Sequence, residues 1–165
     1  MAYRFCSICG SKLKNRKDGN LGCVRCDFVN YRNPRPTATG LVLYKNKLLL
    51  TKRASNPFKG WWDFPGGFVD QRETAEKALI RELKEETGLK IKIKKFFGTY
   101  NGTYPSKFDP FSTLNLVFVA ESSQKKLEAN DDVSASEWFA KKDFPKKIAF
   151  DSNQKIIKDF LKIWK

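Results

Sequence analysis

Residues 67 to 73 read Gly67-Phe-Val-Asp-Gln-Arg-Glu73, and seven residues later the chain continues Arg81-Glu82-Leu83-Lys84-Glu85-Glu86-Thr87-Gly88-Leu89. From Thr74 to Thr87 the residues are good helix formers with no Pro and no Gly. The run stops at Gly88, where a left-handed cap favours glycine. The pattern predicts a helix of about three to four turns. Around that helix Ala75, Leu79 and Leu83 make a narrow apolar stripe, with Glu82 and Glu86 on or beside it and Glu85 at its flank. Carboxylates in a core-facing position repel one another and are costly to desolvate, so a cation is expected to hold them there. Carboxylate and carbonyl oxygens suit Mg²⁺, Mn²⁺ or Ca²⁺, and the chain contains no histidine that would favour a softer metal. Mg²⁺ joins protein carboxylates to substrate phosphates, which points to phosphate chemistry. The alternative is a solvated helix with i,i+4 pairs such as Arg81 with Glu85, against which Gly66-Gly67, Glu73 and Gly88 weigh.

At every fixed position this stretch resembles the box of the Nudix hydrolases, Gly-x5-Glu-x7-Arg-Glu-U-x-Glu-Glu-x-Gly-U with U apolar. The resemblance implies that Glu82 is a metal ligand and often the base, and that Glu85 and Glu86 are further ligands. It also implies that the carbonyl of Gly67 completes the shell, and that Glu73 pairs with Arg81 to tie the loop to the helix. Which acid serves as base varies across the family. The implied fold is an α/β/α sandwich with a mixed sheet. The lead-in Trp61-Trp62-Asp63-Phe64-Pro65-Gly66-Gly67 is similar to the family's own, and its glycines allow backbone to approach a ligand closely. Trp61 and Trp62 are candidates to stack a nucleobase, with core packing as the alternative.

The N-terminus carries a second signal. Cys6-Ser-Ile-Cys9 and Cys23-Val-Arg-Cys26 are two C-x2-C pairs thirteen residues apart, and they use all four cysteines. This is the pattern of two knuckles gripping one structural Zn²⁺ in a zinc ribbon, with a disulfide framework as the rival. No stretch reads as a secretory signal or a membrane span, so a reducing, cytoplasmic location without membrane contact is expected. Four thiolates close the shell, and a segment of about thirty residues depends on its metal to fold.

Tyr31-Arg-Asn-Pro34-Arg-Pro36 reads as an extended connector. The expected layout is a ribbon over residues 1–33 and a Nudix hydrolase domain over residues 34–165. In the second part, residues 37–44, 47–52, 91–97 and 113–120 read as strands, Trp138-Phe139 borders another, and 152–164 reads as an amphipathic closing helix.

The formal net charge is +14. Residues 1–36 carry eight Lys/Arg and two acids, net +6, and the remainder twenty-four and sixteen, net +8. Weak contact with nucleic acid is therefore an expectation, with solubility as the plain alternative. Two functions stand side by side: hydrolysis of a diphosphate in a nucleoside diphosphate derivative, or non-catalytic nucleotide sensing or nucleic-acid binding. The filled box favours the enzyme, with Arg53 and Arg72 as candidate phosphate contacts.

A ribbon before a Nudix domain is similar to the layout of NADH pyrophosphatases, which also act on NAD-capped RNA. In place of their Ser-Gln-Pro-Trp-Pro-Phe-Pro segment this chain has Tyr100-Asn-Gly-Thr-Tyr104-Pro105-Ser-Lys-Phe108-Asp-Pro-Phe111. Pro105 resembles a marker of ADP-ribose hydrolases and Tyr104 one of dinucleoside polyphosphate hydrolases; the reading favours ADP-ribose. Glu121, Asp131, Asp132 and Glu137 are further candidate ligands or bases. Phe96, Phe97 and Phe108 are candidates for a base pocket or a homodimer interface, with core packing as the default.

Overall fold

The computed structural model describes residues 3–107, 110–127 and 133–164. Three short antiparallel strands come first: β1 (Leu13–Asn15), β2 (Leu21–Cys23) and β3 (Val29–Asn30), a small sheet of its own. The second sheet contains β4 (Arg35–Tyr44), β5 (Lys47–Arg53), β6 (Trp62–Asp63), β7 (Gly66–Phe68), β8 (Ile91–Tyr104), β9 (Phe111–Ser122) and β10 (Val133–Phe139). Its main path runs β10-β5-β4-β9-β8, with β6 on β5 and β7 on β4. Only the β4–β9 pairing is parallel among the described strands, so the sheet is mixed.

Two helices cover it, α1 (Ala75–Thr87) and α2 (Asp151–Phe160). Side chains alternate between the faces of a strand, and β4 shows the sorting. Leu41 joins Val117, Val119, Ile156, Ile157 and Phe160 on the α2 side. Ala38 and Val42 join Ala78, Leu79, Leu83 and Phe118 on the α1 side. This is an α/β/α sandwich with a mixed sheet, preceded by a hairpin region bearing four cysteines. Among the described residues no helix is long and apolar enough to cross a membrane.

Helix α1 begins where Thr74 accepts a hydrogen bond from the Lys77 N–H, and ends at Gly88 with φ 69°, whose N–H reaches the Lys84 carbonyl. It buries Ala78, Leu79, Leu83 and Thr87; Ala75 is only half-buried. Leu83 is fully buried between the sheet and the acidic face of its own helix. Leu83→Ala is therefore expected to destabilise the fold by about 2–5 kcal/mol, readable as a lower denaturant midpoint at unchanged m-value.

Strand β5 ends at Arg53, β9 spans Phe111–Ser122 and α2 starts at Asp151, each within two residues of the sequence reading, and three further boundaries differ for a physical reason. The connector ends earlier than Pro36: β4 starts at Arg35, pairs from there with β9, and the Pro36 carbonyl accepts from the Val69 N–H. Strand β8 continues past Phe97 to Tyr104, because register shifts at Ile93/Lys95 and Phe96/Gly98 interrupt the alternation without ending the pairing with β9. The closing helix stops at Phe160. The next residues turn back so that Trp164 stacks on Phe160 and donates its indole N–H to the Asn46 side chain at 2.9 Å.

Candidate active site

Strand β7 sets Gly67 opposite Ala38 and Gly66 opposite Thr39, which lays the glycine pair against the carboxylate face of α1. A methyl group on Gly67 would overlap Glu82 Oε1, so the carboxylate lies directly on the backbone. Gly66 has φ 138°, a conformation that L side chains rarely adopt, and a methyl group there would strike the Ala38 carbonyl. Its N–H donates to Glu86 Oε2 at 3.2 Å. The two glycines are thus required by space and by backbone angle together.

Arg81 is the hub of the acidic cluster. Its Nε donates to Glu73 Oε1 at 3.1 Å and its Nη1 to Glu82 Oε1 at 2.8 Å and Glu85 Oε2 at 3.1 Å. Nη2 reaches Glu73 Oε2 at 3.0 Å and the Phe68 carbonyl at 3.2 Å. A planar fork with five donors makes such a set of contacts, which a lysine does not. Bonding to Arg81 holds the Glu73 carboxyl below its ordinary range, and the acids around Arg81 raise the guanidinium in turn. Glu86 has no such cation. Burial first, and then the charges of Glu82 and Asp63, push its carboxyl well above the usual value, with the Gly66 N–H and Arg53 opposing.

The sequence reading passed over Asp63, which faces this cluster. Burial pushes its carboxyl up to about 6 against the pull of Arg53. Arg53 Nη1 donates to Asp63 Oδ2 at 3.0 Å, and Asn153 of α2 donates to Asp63 Oδ1 at 2.6 Å.

Arg53, Asp63, Gly66, Gly67 and the three glutamates line a cavity of about 300 Å³. It adjoins a second one lined by Thr37, Thr39, Thr103, Thr113, Asn115 and Ser152. Of these, Thr37, Thr39, Thr113 and Asn115 occupy positions of β4 and β9 that face α2, where the same strands carry Leu41, Val117 and Val119 further along, while Thr103 comes from β8 and Ser152 from α2. They bond to one another, as Thr37 Oγ1 does to Asn115 Oδ1 at 2.9 Å. The aromatic rings lining these compartments belong to Phe64, Phe68, Tyr104 and Phe150, with Tyr104 and Phe150 stacked 5.8 Å apart. The polar break in an otherwise apolar alternation is the signal in the sequence that would have found this compartment.

The four cysteines lie apart from the cleft. Their sulfur atoms fall within 4.8 Å of one another. The separations include 3.5 Å for Cys9–Cys23, 3.6 Å for Cys26–Cys9 and 3.7 Å for Cys6–Cys26. A tetrahedral metal at Zn–S distances sets sulfurs about 3.8 Å apart, so the set fits Zn²⁺ and is far too open for disulfides. Hydrogen bonds from Ser11 pull Cys9 down to about 6. The Phe28 N–H works to lower Cys26, yet desolvation and its bonds to Cys23, Cys9 and Cys6 leave it at about 12. Such thiols ionise together only around a cation.

Among the described residues this thiol set alone draws three or more ligand atoms so close together. The glutamates share one cleft but stand apart, as uncompensated like charges do, with Arg81 between Glu82 and Glu85.

The remaining candidates divide. Trp62 packs edge-on to Phe139 at 4.9 Å, and Trp61 leans on Phe58; neither lines the cleft. Arg72, Pro105 and Glu137 are absent from its walls, and Glu121 is paired with Lys94 at 2.9 Å. Phe97 packs on Tyr100 and Phe160, whereas Phe96 is 52 % exposed. Asp131, Asp132 and Phe108 lie outside the described residues.

The sequence profile of the NUDIX domain matches residues 34–160. An ADP-ribose pyrophosphatase of Methanocaldococcus jannaschii is 42 % identical over 82 % of this chain and 77 % of its own. An NAD-capped RNA hydrolase NudC of Vibrio parahaemolyticus is 27 % identical over 87 % of this chain, which spans 54 % of that protein. Among solved structures, a NUDIX hydrolase from Nitrosomonas europaea superposes with a TM-score of 0.74 at 26 % identity, covering 90 % of this chain and 84 % of that one.

Proposed function

The chain belongs to the NUDIX family and is a pyrophosphohydrolase of that class acting on a nucleoside-diphosphate-type substrate; from that premise we propose that its substrate is ADP-ribose, split at the diphosphate into AMP and ribose 5-phosphate. One observation carries the reading: a cleft of carboxylates around Glu86 opens directly into a compartment lined by hydroxyl and amide groups. Anionic oxygens that burial and mutual repulsion disfavour need a divalent cation, and the neighbouring donors suit a hydroxyl-rich pentose. The 42 % identity to the archaeal ADP-ribose pyrophosphatase supports the same choice.

The donor set fits Mg²⁺ or Mn²⁺, since all of it is hard oxygen, and the Glu82 carboxylate lies against the Gly67 backbone, where a Cβ would overlap it. Glu82, Glu85, Glu86 and the Gly67 carbonyl would hold the ion, which when bound neutralises phosphate charge and makes water more acidic. Glu82 takes the proton of the attacking water as its oxygen bonds to phosphorus, and the bridging P–O bond breaks with its electrons going to the leaving phosphate. Arg81 keeps Glu82 and Glu85 turned toward the cleft, and Glu73 fixes Arg81. Arg53 contacts the diphosphate.

The ribbon, residues 1–33, is proposed as a separate Zn²⁺-stabilised unit ahead of a catalytic domain over 34–165. Its thiols favour a reducing cytoplasm, and its basic surplus favours weak, salt-sensitive contact with nucleic acid.

The similarity to NudC proteins favours NADH or NAD-capped RNA as a second reading. Product analysis with Mg²⁺ or Mn²⁺ decides between them. AMP and ribose 5-phosphate from ADP-ribose, abolished by EDTA, is the expected result. Faster cleavage of NADH or NAD-capped RNA would move the assignment to the second reading, and ADP-ribose binding without turnover would make the protein a sensor.

A further inference from the structure

Two cations border the carboxylate cleft, and they are placed very differently. Every nitrogen of the Arg81 guanidinium is committed to Glu73, Glu82, Glu85 or the Phe68 carbonyl. Arg53 is gripped at only part of its fork. Its Nε donates to the Pro57 carbonyl at 2.7 Å and its Nη1 to Asp63 at 3.0 Å, while its guanidinium lies over the Phe150 ring, 5.0 Å from the centroid. Among the described residues Nη2 has no hydrogen-bond partner, and Arg53 borders both compartments. It retains the donor edge that an incoming diphosphate needs.

What holds Arg53 in this pose reaches across the molecule to α2. Asn153 is 4 % exposed and lies on the same face of the helix as Ile156, Ile157 and Phe160, where an apolar residue would extend the core. A buried amide is tolerated there only if it is satisfied, and Asn153 donates both to the Ala149 carbonyl at 2.9 Å and to Asp63 Oδ1 at 2.6 Å. Asp63 thus spends one oxygen on α2 and the other on Arg53. Its backbone position is already fixed by pairing with Thr51, so the strand does not need the ion pair for its register.

We infer that Asp63 and Asn153 are positioning residues for substrate binding, acting through Arg53: the chain Asn153–Asp63–Arg53 couples the first turn of α2 to the phosphate-binding edge of the cleft. This inference rests on the diphosphate reading above. It predicts that truncating any of the three weakens substrate binding in the same way, because all three remove one contact.

The test is steady-state kinetics with ADP-ribose on Arg53→Ala, Asp63→Ala and Asn153→Ala, singly and with the last two combined with Arg53→Ala, with melting temperatures alongside. Each single variant is expected to raise KM about tenfold or more with a much smaller change in kcat, and Asp63→Ala should add less than about twofold once Arg53 is gone. Asp63→Asn keeps the side-chain volume and one acceptor oxygen, so it can accept from only one of its two partners and lacks the charge; it covers the case in which Asp63→Ala does not fold. It should fall between wild type and Asp63→Ala in KM. A purely structural ion pair would lower the melting temperature while leaving KM unchanged, or would give effects that add fully to those of Arg53→Ala; either outcome overturns the inference and leaves the substrate reading intact. A wild type that neither binds nor cleaves ADP-ribose overturns both.

Discussion

Glu82→Gln is expected to lose roughly a thousandfold in kcat and to melt no lower than the wild type. The chemical half follows from removing the carboxylate that lies against Gly67 and is proposed to take the proton of the attacking water. Glutamine keeps the side-chain length and an oxygen for the bond from Arg81 Nη1, so the packing on Gly67 survives. The stability half follows from charge. Glu86 is held well above its ordinary titration range by burial and then by the repulsion of Glu82 and Asp63, and neutralising Glu82 removes one of those repulsions. An inactive variant whose melting temperature is unchanged or raised in metal-free buffer confirms both halves. Retention of activity within about threefold would move the base to Glu85 or Glu86.

Removal of zinc is expected to unfold the N-terminal ribbon and spare the rest. The ribbon forms only a three-stranded sheet over residues 13–30, and among its described residues Cys6 and Leu21 are the buried apolar side chains, far too little burial to offset the ordering of some thirty residues. On the proposed zinc site the metal would supply the difference, about 10–16 kcal/mol of binding energy in comparable four-ligand sites. Native mass spectrometry should find one Zn²⁺ per chain, and none in Cys9→Ser combined with Cys26→Ser. In that variant, hydrogen exchange should rise sharply across residues 13–30 while the amides of β4, β5 and β9 keep their protection. Protection that collapses throughout the chain would show that ribbon and hydrolase fold as one unit.

The acidic box and the cysteine set are both legible in the sequence, whereas the rest of the cleft is not. The box on α1 is local: its helix start, its Gly88 stop, its buried stripe and its acidic face are all set by residues within one segment, and the structure places them accordingly. The zinc set is equally local, since each C-x2-C pair makes its own knuckle. Strand β8 was legible only up to the irregularities near Phe96 and Gly98, where the alternation fails although the hydrogen bonding persists. Trp61 and Trp62 are stacking candidates by residue type alone, whereas the rings at the cleft are Phe64 and Phe68 and, from distant parts of the chain, Tyr104 and Phe150.

The sequence by itself determined the class of chemistry, because helix periodicity carries Glu82, Glu85 and Glu86 to one side of a single element whatever surrounds it. It likewise determined that a cluster of four cysteines precedes the hydrolase domain. Only the tertiary structure decided what faces those acids. Arg53, Asp63 and Asn153 come from β5, β6 and α2, and Thr37 and Asn115 meet because β4 and β9 run parallel at one register. Such contacts depend on strand order and sheet-to-helix packing, and no spacing along the chain encodes them. The cation proposed to meet the substrate, and the pocket beside it, therefore emerge only when the sheet is assembled.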